Sequence, residues 1–395
     1  MPALEFFLFA ATLLGIAVFH RHALRIALGG LTVVMLYKFA VTGFPPGPGL
    51  AGLVQHLAHE WVMLANLFGL ITGFALLANH FHHSALPELL PAVLPNDWKG
   101  AFVLLVLAFV LSSFLDNIAA ALIGGTMASA VFRAKLHIGY LAAIVAASNA
   151  GGSGSVVGDT TTTMMWIDGI SPLAVLDAYV AAAVALVVFG IPAALQQQRY
   201  SPIVKDAPRR LRLDLVRLWV VAAVLIAAIG TNVVVNTRWP AHAGAFPFIG
   251  AAVWLALLLT ASLRRPDFTL LPSAARSSVF LLSLVLTASL MPVHELPAAS
   301  WQSTVALGFV SAVFDNIPLT ALALQQGGYD WGMLAYAVGF GGSMIWFGSS
   351  AGVALCGVFP EGRSVFAWLR AGWHVAVAYV VGVAAFMWLV GWHPS

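Results

Sequence analysis

The chain has 395 residues, 61% of them hydrophobic and 8% charged, against roughly 25% charge in soluble domains, so water is not the solvent of most of its surface. A net charge of +3 does not mark a nucleic-acid partner, because the basic residues sit in short breaks between apolar runs, where membrane orientation accounts for them. The single cysteine, Cys356, excludes disulfides within the chain and cysteine-based metal sites.

A membrane-spanning helix needs about 20 apolar residues, and runs of that length recur to give about ten transmembrane helices in an all-α membrane protein. They are expected at 3–20, 24–43, 57–81, 136–168, 172–196, 215–235, 246–263, 276–292, 331–355 and 366–391. The first run is read as a retained span and not a signal peptide, since its positive flank, Arg21 and Arg25, follows it. Lys38 is expected to snorkel from the outer end of the second span. His80, His82 and His83 fall where the third span ends and read as interfacial. Lys and Arg concentrate at Arg21–Arg25, Lys99, Arg133–Lys135, Arg199–Arg217, Arg264–Arg265, Arg276 and Arg363, which predicts that these breaks are cytoplasmic and both termini are not, as in a multi-pass protein of a bacterial inner membrane.

Two apolar segments, 101–132 and 302–327, carry their polar break in the middle and are expected to be re-entrant hairpins. Their centres repeat: Ser112-x-x-x-Asp116-Asn117-Ile118 matches Ser311-x-x-Phe314-Asp315-Asn316-Ile317. The run after each hairpin repeats too, with Gly151-Gly152-Ser153 and Gly158 matching Gly341-Gly342-Ser343 and Gly348 at the same spacing. One hairpin opens inward and the other outward, so the copies are predicted to be antiparallel, the inverted-repeat plan of secondary transporters. The first repeat, with its N-terminal scaffold helices, is 1–196, a cytoplasmic linker is 197–214, and the second repeat is 215–395.

A carboxylate at membrane depth costs about 2.5–3.5 kcal/mol on insertion scales, which makes Asp116 and Asp315 candidates for function. The competing reading is that each only caps the second half of its hairpin. Asn117 and Asn316 add amide oxygens, the kind of ligand a hard cation such as Na⁺ needs. Four glycines within residues 151–158 argue against continuous helix, since Gly costs about 1 kcal/mol per helical site relative to Ala. The run from 136 to 168 is therefore expected to be a broken helix that presents backbone carbonyls and restarts at Asp159-Thr160; small-residue helix packing is the alternative. Asp159 reads equally as cap or ligand, and the second copy has Ser349 there. Candidate cation or substrate ligands are thus Asp116, Asn117, Asn149, Gly151, Gly152, Ser153, Asp159, Thr160, Asp315, Asn316, Gly342, Ser343 and Ser349, with Asp116, Asn117, Ser153, Asp315 and Asn316 expected on Na⁺. His59-Glu60 and His294-Glu295 lack the second His of H-E-x-x-H, and no G-x-S-x-G or P-loop occurs, so enzyme and primary-pump readings are set aside and no cofactor is expected.

These motifs resemble the ion transporter superfamily and, within it, the NhaD-type sodium/proton antiporters. Phe114-Leu115-Asp116-Asn117, Asn149-Ala150-Gly151-Gly152 and Gly158-Asp159-Thr160-Thr161-Thr162 are similar to that family's first hairpin and broken helix. Asp315-Asn316-Ile317-Pro318, Gly341-Gly342-Ser343 and Gly348-Ser349-Ser350-Ala351-Gly352 are similar to the second copy. The resemblance covers about half of the chain and implies outer scaffold helices around a transport core, assembled as a homodimer. Gly154-Ser155-Val156-Val157 departs from the family's more usual Trp-Ser-Pro run. Related families of the same fold carry citrate, dicarboxylates or arsenite. Two functions are therefore expected: Na⁺/H⁺ exchange in which the hairpin Asp-Asn sites hold either Na⁺ or protons, or symport of an organic anion facing Thr160–Thr163.

Overall fold

The computed structural model describes every residue except 1–3, 20–21, 90–93, 205–211, 240–241 and 243. Among the described residues the chain is helical throughout, without strands; one isolated bridge, Phe44 to Gly47, closes the turn before the third helix. The first part of the chain forms α1 (Leu4–Val18), α2 (Ala23–Tyr37, continued as a π turn Lys38–Thr42), α3 (Gly49–His82), α4 (Leu86–Leu89), α5 (Trp98–Ser112) and α6 (Asn117–Val131). Then come α7 (Ile138–Ser153), α8 (Thr160–Ile167), α9 (Pro172–Leu176) and α10 (Ala178–Tyr200). The rest forms α11 (Leu215–Arg238), α12 (Phe248–Thr260), α13 (Leu271–Ser289), α14 (Trp301–Ser311) and α15 (Asn316–Gln326). It ends with α16 (Trp331–Gly341), α17 (Ser350–Val358), α18 (Val365–Ala371) and α19 (Trp373–Leu389).

Five helical stretches among the described residues are long and apolar enough to cross a membrane, at Ala23–Thr42, Gly49–His82, Pro172–Tyr200, Leu215–Val235 and Phe268–Ser289. A sixth results if α18 and α19, bent by 61° at Gly372, count as one. The remaining apolar sequence lies in shorter helices such as Leu4–Ile16 and Phe248–Thr260, or in helices interrupted by glycine and polar residues. That is why about ten expected spans become five or six continuous ones.

The third span begins at Gly49, not 57. Pro48 stands at its N-cap and Gly49 has φ +70, which only glycine adopts cheaply. His56, outside the expected span, and Glu60, inside it, are both buried in this helix. At 1.5 Å per residue its 34 residues extend about 51 Å, beyond a hydrocarbon core of about 30 Å.

Lys38 does not snorkel. Its Nζ lies 3.1 Å from Glu5 Oε1 on α1, with both side chains almost fully buried. At the far end of α3, Arg217 donates to His80 Nδ1 at 3.2 Å, and Arg264 Nε to Asp214 Oδ2 at 2.9 Å. The Arg264 hydrogen bond holds the Asp214 carboxyl below the usual carboxylate range. Of the linker expected at 197–214, residues 205–211 lie outside the described residues.

The centre of the molecule is α7 and α16. Every residue of α7 from Gly139 to Ser153, and every residue of α16, is buried. The alanines and glycines of α7 let α5, α6, α10 and α16 pack against it. On α16, Tyr336, Phe340 and Tyr379 of α19 stack with nearly parallel rings. α5 packs along α6 across the break at residues 113–116, whereas α14 and α15 make far less contact with each other.

Candidate functional site

α7 stops at Ser153 and α8 starts at Thr160 with Asp159 as its N-cap, leaving a six-residue break. α16 stops at Gly341 and α17 starts at Ser350 with Ser349 as its N-cap. The glycines at the two breaks meet corresponding neighbours. A Cβ on Gly151 would meet the Phe109 carbonyl oxygen, and one on Gly341 the Gly308 carbonyl oxygen. On Gly152 it would lie 2.8 Å from the Gly158 oxygen and 3.1 Å from Asp159 Cβ; on Gly342, 2.7 Å from the Gly348 oxygen and 3.2 Å from Ser349 Cβ. These glycines allow backbone to lie against backbone where any side chain would intervene.

The breaks bring Asp159 to the middle of a buried polar cluster. Asn117 Nδ2, from the start of α6, donates to Asp159 Oδ1 at 3.3 Å and to Asn149 Oδ1 at 3.1 Å. Asn316 Nδ2, from the start of α15, donates to Asp159 Oδ2 at 3.3 Å. Thr161 donates its hydroxyl to the same Oδ2 at 2.9 Å. Asn149 Nδ2 donates to Ser343 Oγ at 2.9 Å and to Ser349 Oγ at 3.0 Å. Asp159 is 2% exposed, and the ion pairs among the described residues, Lys38–Glu5, Arg217–Asp214 and Arg264–Asp214, leave it without a cationic side chain. Asp116 and Asp315 stand one residue before the two asparagines that donate to Asp159.

The other candidate residues are placed around this cluster rather than in it. Asp315 is the N-cap of α15, accepting from the Ile317 amide at 3.1 Å and from Ser350 Oγ at 2.9 Å. Asp116 holds the matching N-cap position of α6, half-buried. Ser153 Oγ turns back onto the Ala150 carbonyl. Thr160 opens α8, half-buried, while Gly151, Gly152 and Gly342 serve the close backbone packing. Thr162 and Thr163 donate their hydroxyls to the carbonyls of Ser155 and Val156, so they tie down the break from within.

Gly339 was not singled out from the sequence, and Thr161 only as part of the run Thr160–Thr163 expected to face an organic anion. A Cβ on Gly339 would stand 3.4 Å from Asp159 Oδ2. A second polar group, on α3, was also missed: His56 Nε2 lies 2.9 Å from Ser289 Oγ, and His56, Glu60 and Asn66 line a cavity of about 960 Å³ beside α8. The signal was available in the four-residue spacing of His56 and Glu60, which puts both on one helical face inside an apolar run.

No family model matches the chain. It is 28% identical over 342 residues to sodium/proton antiporter 1 of Arabidopsis thaliana, covering 73% of this chain and 55% of that protein. It is 26% identical over 331 residues to the Na⁺/H⁺ antiporter NhaD of Alkalimonas amylolytica, covering 72% of this chain and 68% of that protein. Sodium/proton antiporter 2 of Arabidopsis thaliana is 27% identical over 288 residues, with 62% of this chain and 66% of that protein covered. The chain thus spans about half the length of the first relative and about two thirds of the other two. At modest identity over most of its length, it is similar to sodium/proton antiporters, among them one of the NhaD type.

Proposed function

We propose that the chain exchanges Na⁺ for H⁺ across a membrane, with Asp159 as the group for which the two ions compete. One observation carries the proposal: amides from both halves, Asn117 and Asn316, converge on the two oxygens of a buried carboxylate that has no cationic side chain beside it. A buried carboxylate left alone is too costly to persist, so it takes up either a proton or a metal cation. The cluster carries oxygens of the kind Na⁺ takes, on Asp159 itself and in the side chains of Asn117, Asn149, Asn316, Ser343, Ser349 and Thr161. Asp116 and Asp315 flank this centre and add negative field from each hairpin. Exchange follows because one site cannot hold both ions at once.

The matched breaks and hairpins are read as two copies of an inverted repeat, with 101–132 and 302–327 re-entrant and the core moving against a scaffold of α1–α3 and α11–α13 to give alternating access. The corresponding glycine contacts in the two breaks support that reading. The charge pattern supports a bacterial inner-membrane orientation with both termini outside, and the family resemblance supports a homodimer. The engagement of Thr162 and Thr163 by backbone carbonyls weighs against organic-anion symport, because those hydroxyls are already in use.

The test is reconstitution into vesicles with an internal pH dye, pulsed in turn with Na⁺, Li⁺, K⁺ and citrate. Na⁺-driven proton movement is expected, and Asp159→Asn is expected to abolish it. Normal exchange by Asp159→Asn, or citrate uptake without cation-driven proton flux, would overturn the proposal.

A further inference from the structure

The cavity beside α8 lies between α3, α8, α13 and α15, at the end of α3 opposite Arg217 and Arg264. Its wall includes Met164 and Ala321. Met164 follows Asp159 by five residues on α8, and Ala321 follows Asn316 by five on α15, so the cavity approaches within about 7–8 Å of helix rise of the central cluster. Met164 is fully buried and lies on α8 between Asp159 and Asp168.

Two carboxylates face this space. Glu60 lies eleven residues into α3, about 17 Å along its axis. It is 6% exposed, lines the cavity, and makes no hydrogen bond or ion pair with any described residue. Asp168 is the C-cap of α8, where the helix dipole disfavours a negative charge and favours a cation. Glu60, Asp168 and His59 line the same cavity. His56 is turned onto Ser289, and Lys38 onto Glu5. An unpartnered buried carboxylate facing an open space, next to a second carboxylate on an unfavourable helix end, calls for a mobile positive charge between them. No group of three His, Cys, Asp or Glu among the described residues is placed to chelate a bare metal ion, and about 960 Å³ has room for about 30 waters at their liquid volume. The chemistry that fits is a hydrated alkali cation.

We propose that this cavity is an access vestibule holding a second site for a hydrated alkali cation, bound between Glu60 and Asp168, from which the ion passes Met164 to reach Asp159. This rests on the exchange reading above, but its test does not depend on exchange. Gln325 lines the cavity and is exposed, while the sole cysteine, Cys356, is fully buried. A Gln325→Cys, Cys356→Ser protein that also carries Asp159→Asn would be reconstituted and treated with a membrane-impermeant maleimide. Modification is expected from one side of the membrane only, slowed several-fold by Na⁺ but not by choline at equal ionic strength. Adding Glu60→Gln and Asp168→Asn should remove the Na⁺ protection, and Glu60→Asp in place of Glu60→Gln, with Asp168 intact, should keep it, which separates loss of the site from loss of the fold. Equal rates in Na⁺ and choline with both carboxylates present, or protection that survives their neutralisation, would overturn the vestibule site. Failure of the exchange reading would appear instead as unimpaired Na⁺/H⁺ exchange by Asp159→Asn alone.

Discussion

Asn316 donates its side-chain amide to Asp159 Oδ2 at 3.3 Å, joining residues 157 positions apart in the chain. Asn117 makes the corresponding bond to the other oxygen of the same carboxylate. The two donors come from matching motifs, but the acceptor exists once, because the position matching Asp159 is Ser349. A duplicated frame thus converges on a single charge, which suits one ion better than two equivalent ones.

Removing either donor should weaken the centre without erasing it. Hydrogen bonds to charged groups contribute about 1.5–3 kcal/mol, so Asn117→Ala and Asn316→Ala should each raise the Na⁺ concentration for half-maximal exchange about 10- to 100-fold. Asp159→Asn, which abolishes exchange outright, sets the floor against which both partial losses are read. Measured in vesicles, an unchanged Na⁺ dependence in either single variant would remove that asparagine from the site.

The glycine contacts predict a stability pattern across the same frame. Gly151→Ala and Gly341→Ala would drive a methyl into the carbonyls of Phe109 and Gly308, whereas Gly230 and Gly357 face open space. Overpacking costs about 1–3 kcal/mol and more where backbone must move. In detergent, melting temperatures should fall by several degrees for the first pair, and Gly230→Ala and Gly357→Ala should match or exceed the parent. Equal behaviour of all four would mean that the two breaks are not held by these contacts.

Much of this frame could be read in the chain itself, since the Asp-Asn pairs and the Gly-Gly-Ser runs recur at fixed spacing and glycine density predicts where helix fails. The division of labour among the aspartates could not. Asp315 is turned aside by the Ile317 amide and the Ser350 hydroxyl, and no local pattern distinguishes an aspartate that only caps from Asp159, which caps α8 through Thr161 while receiving amides from two distant helices. The start of α3 was placed eight residues late, because the segment before 57 carries Pro48, Gln55 and His56, whose burial depends on the cavity His56 faces. Lys38 was misread for the same reason: its partner, Glu5, lies on another helix, and hydropathy carries no information about pairing across helices.

That pair makes the last prediction. Glu5 receives the Lys38 ammonium at 3.1 Å and the Thr42 hydroxyl at 3.0 Å, all within the packing of α1 against α2 and the π turn. Deleting one partner of a buried ion pair leaves an uncompensated charge and costs about 3–5 kcal/mol, whereas replacing both with apolar groups of similar volume is often neutral. Lys38→Met alone and Glu5→Leu alone should therefore each lower the melting temperature in detergent well below that of the Glu5→Leu, Lys38→Met double variant. The π turn supplies a reason for the coupling: Lys38 sits where the helix widens from α to π geometry, and an ammonium anchored to α1 fixes that irregular turn in register. Additive losses in the double variant would show that the two charges are solvated independently and that the turn is held by its apolar contacts alone.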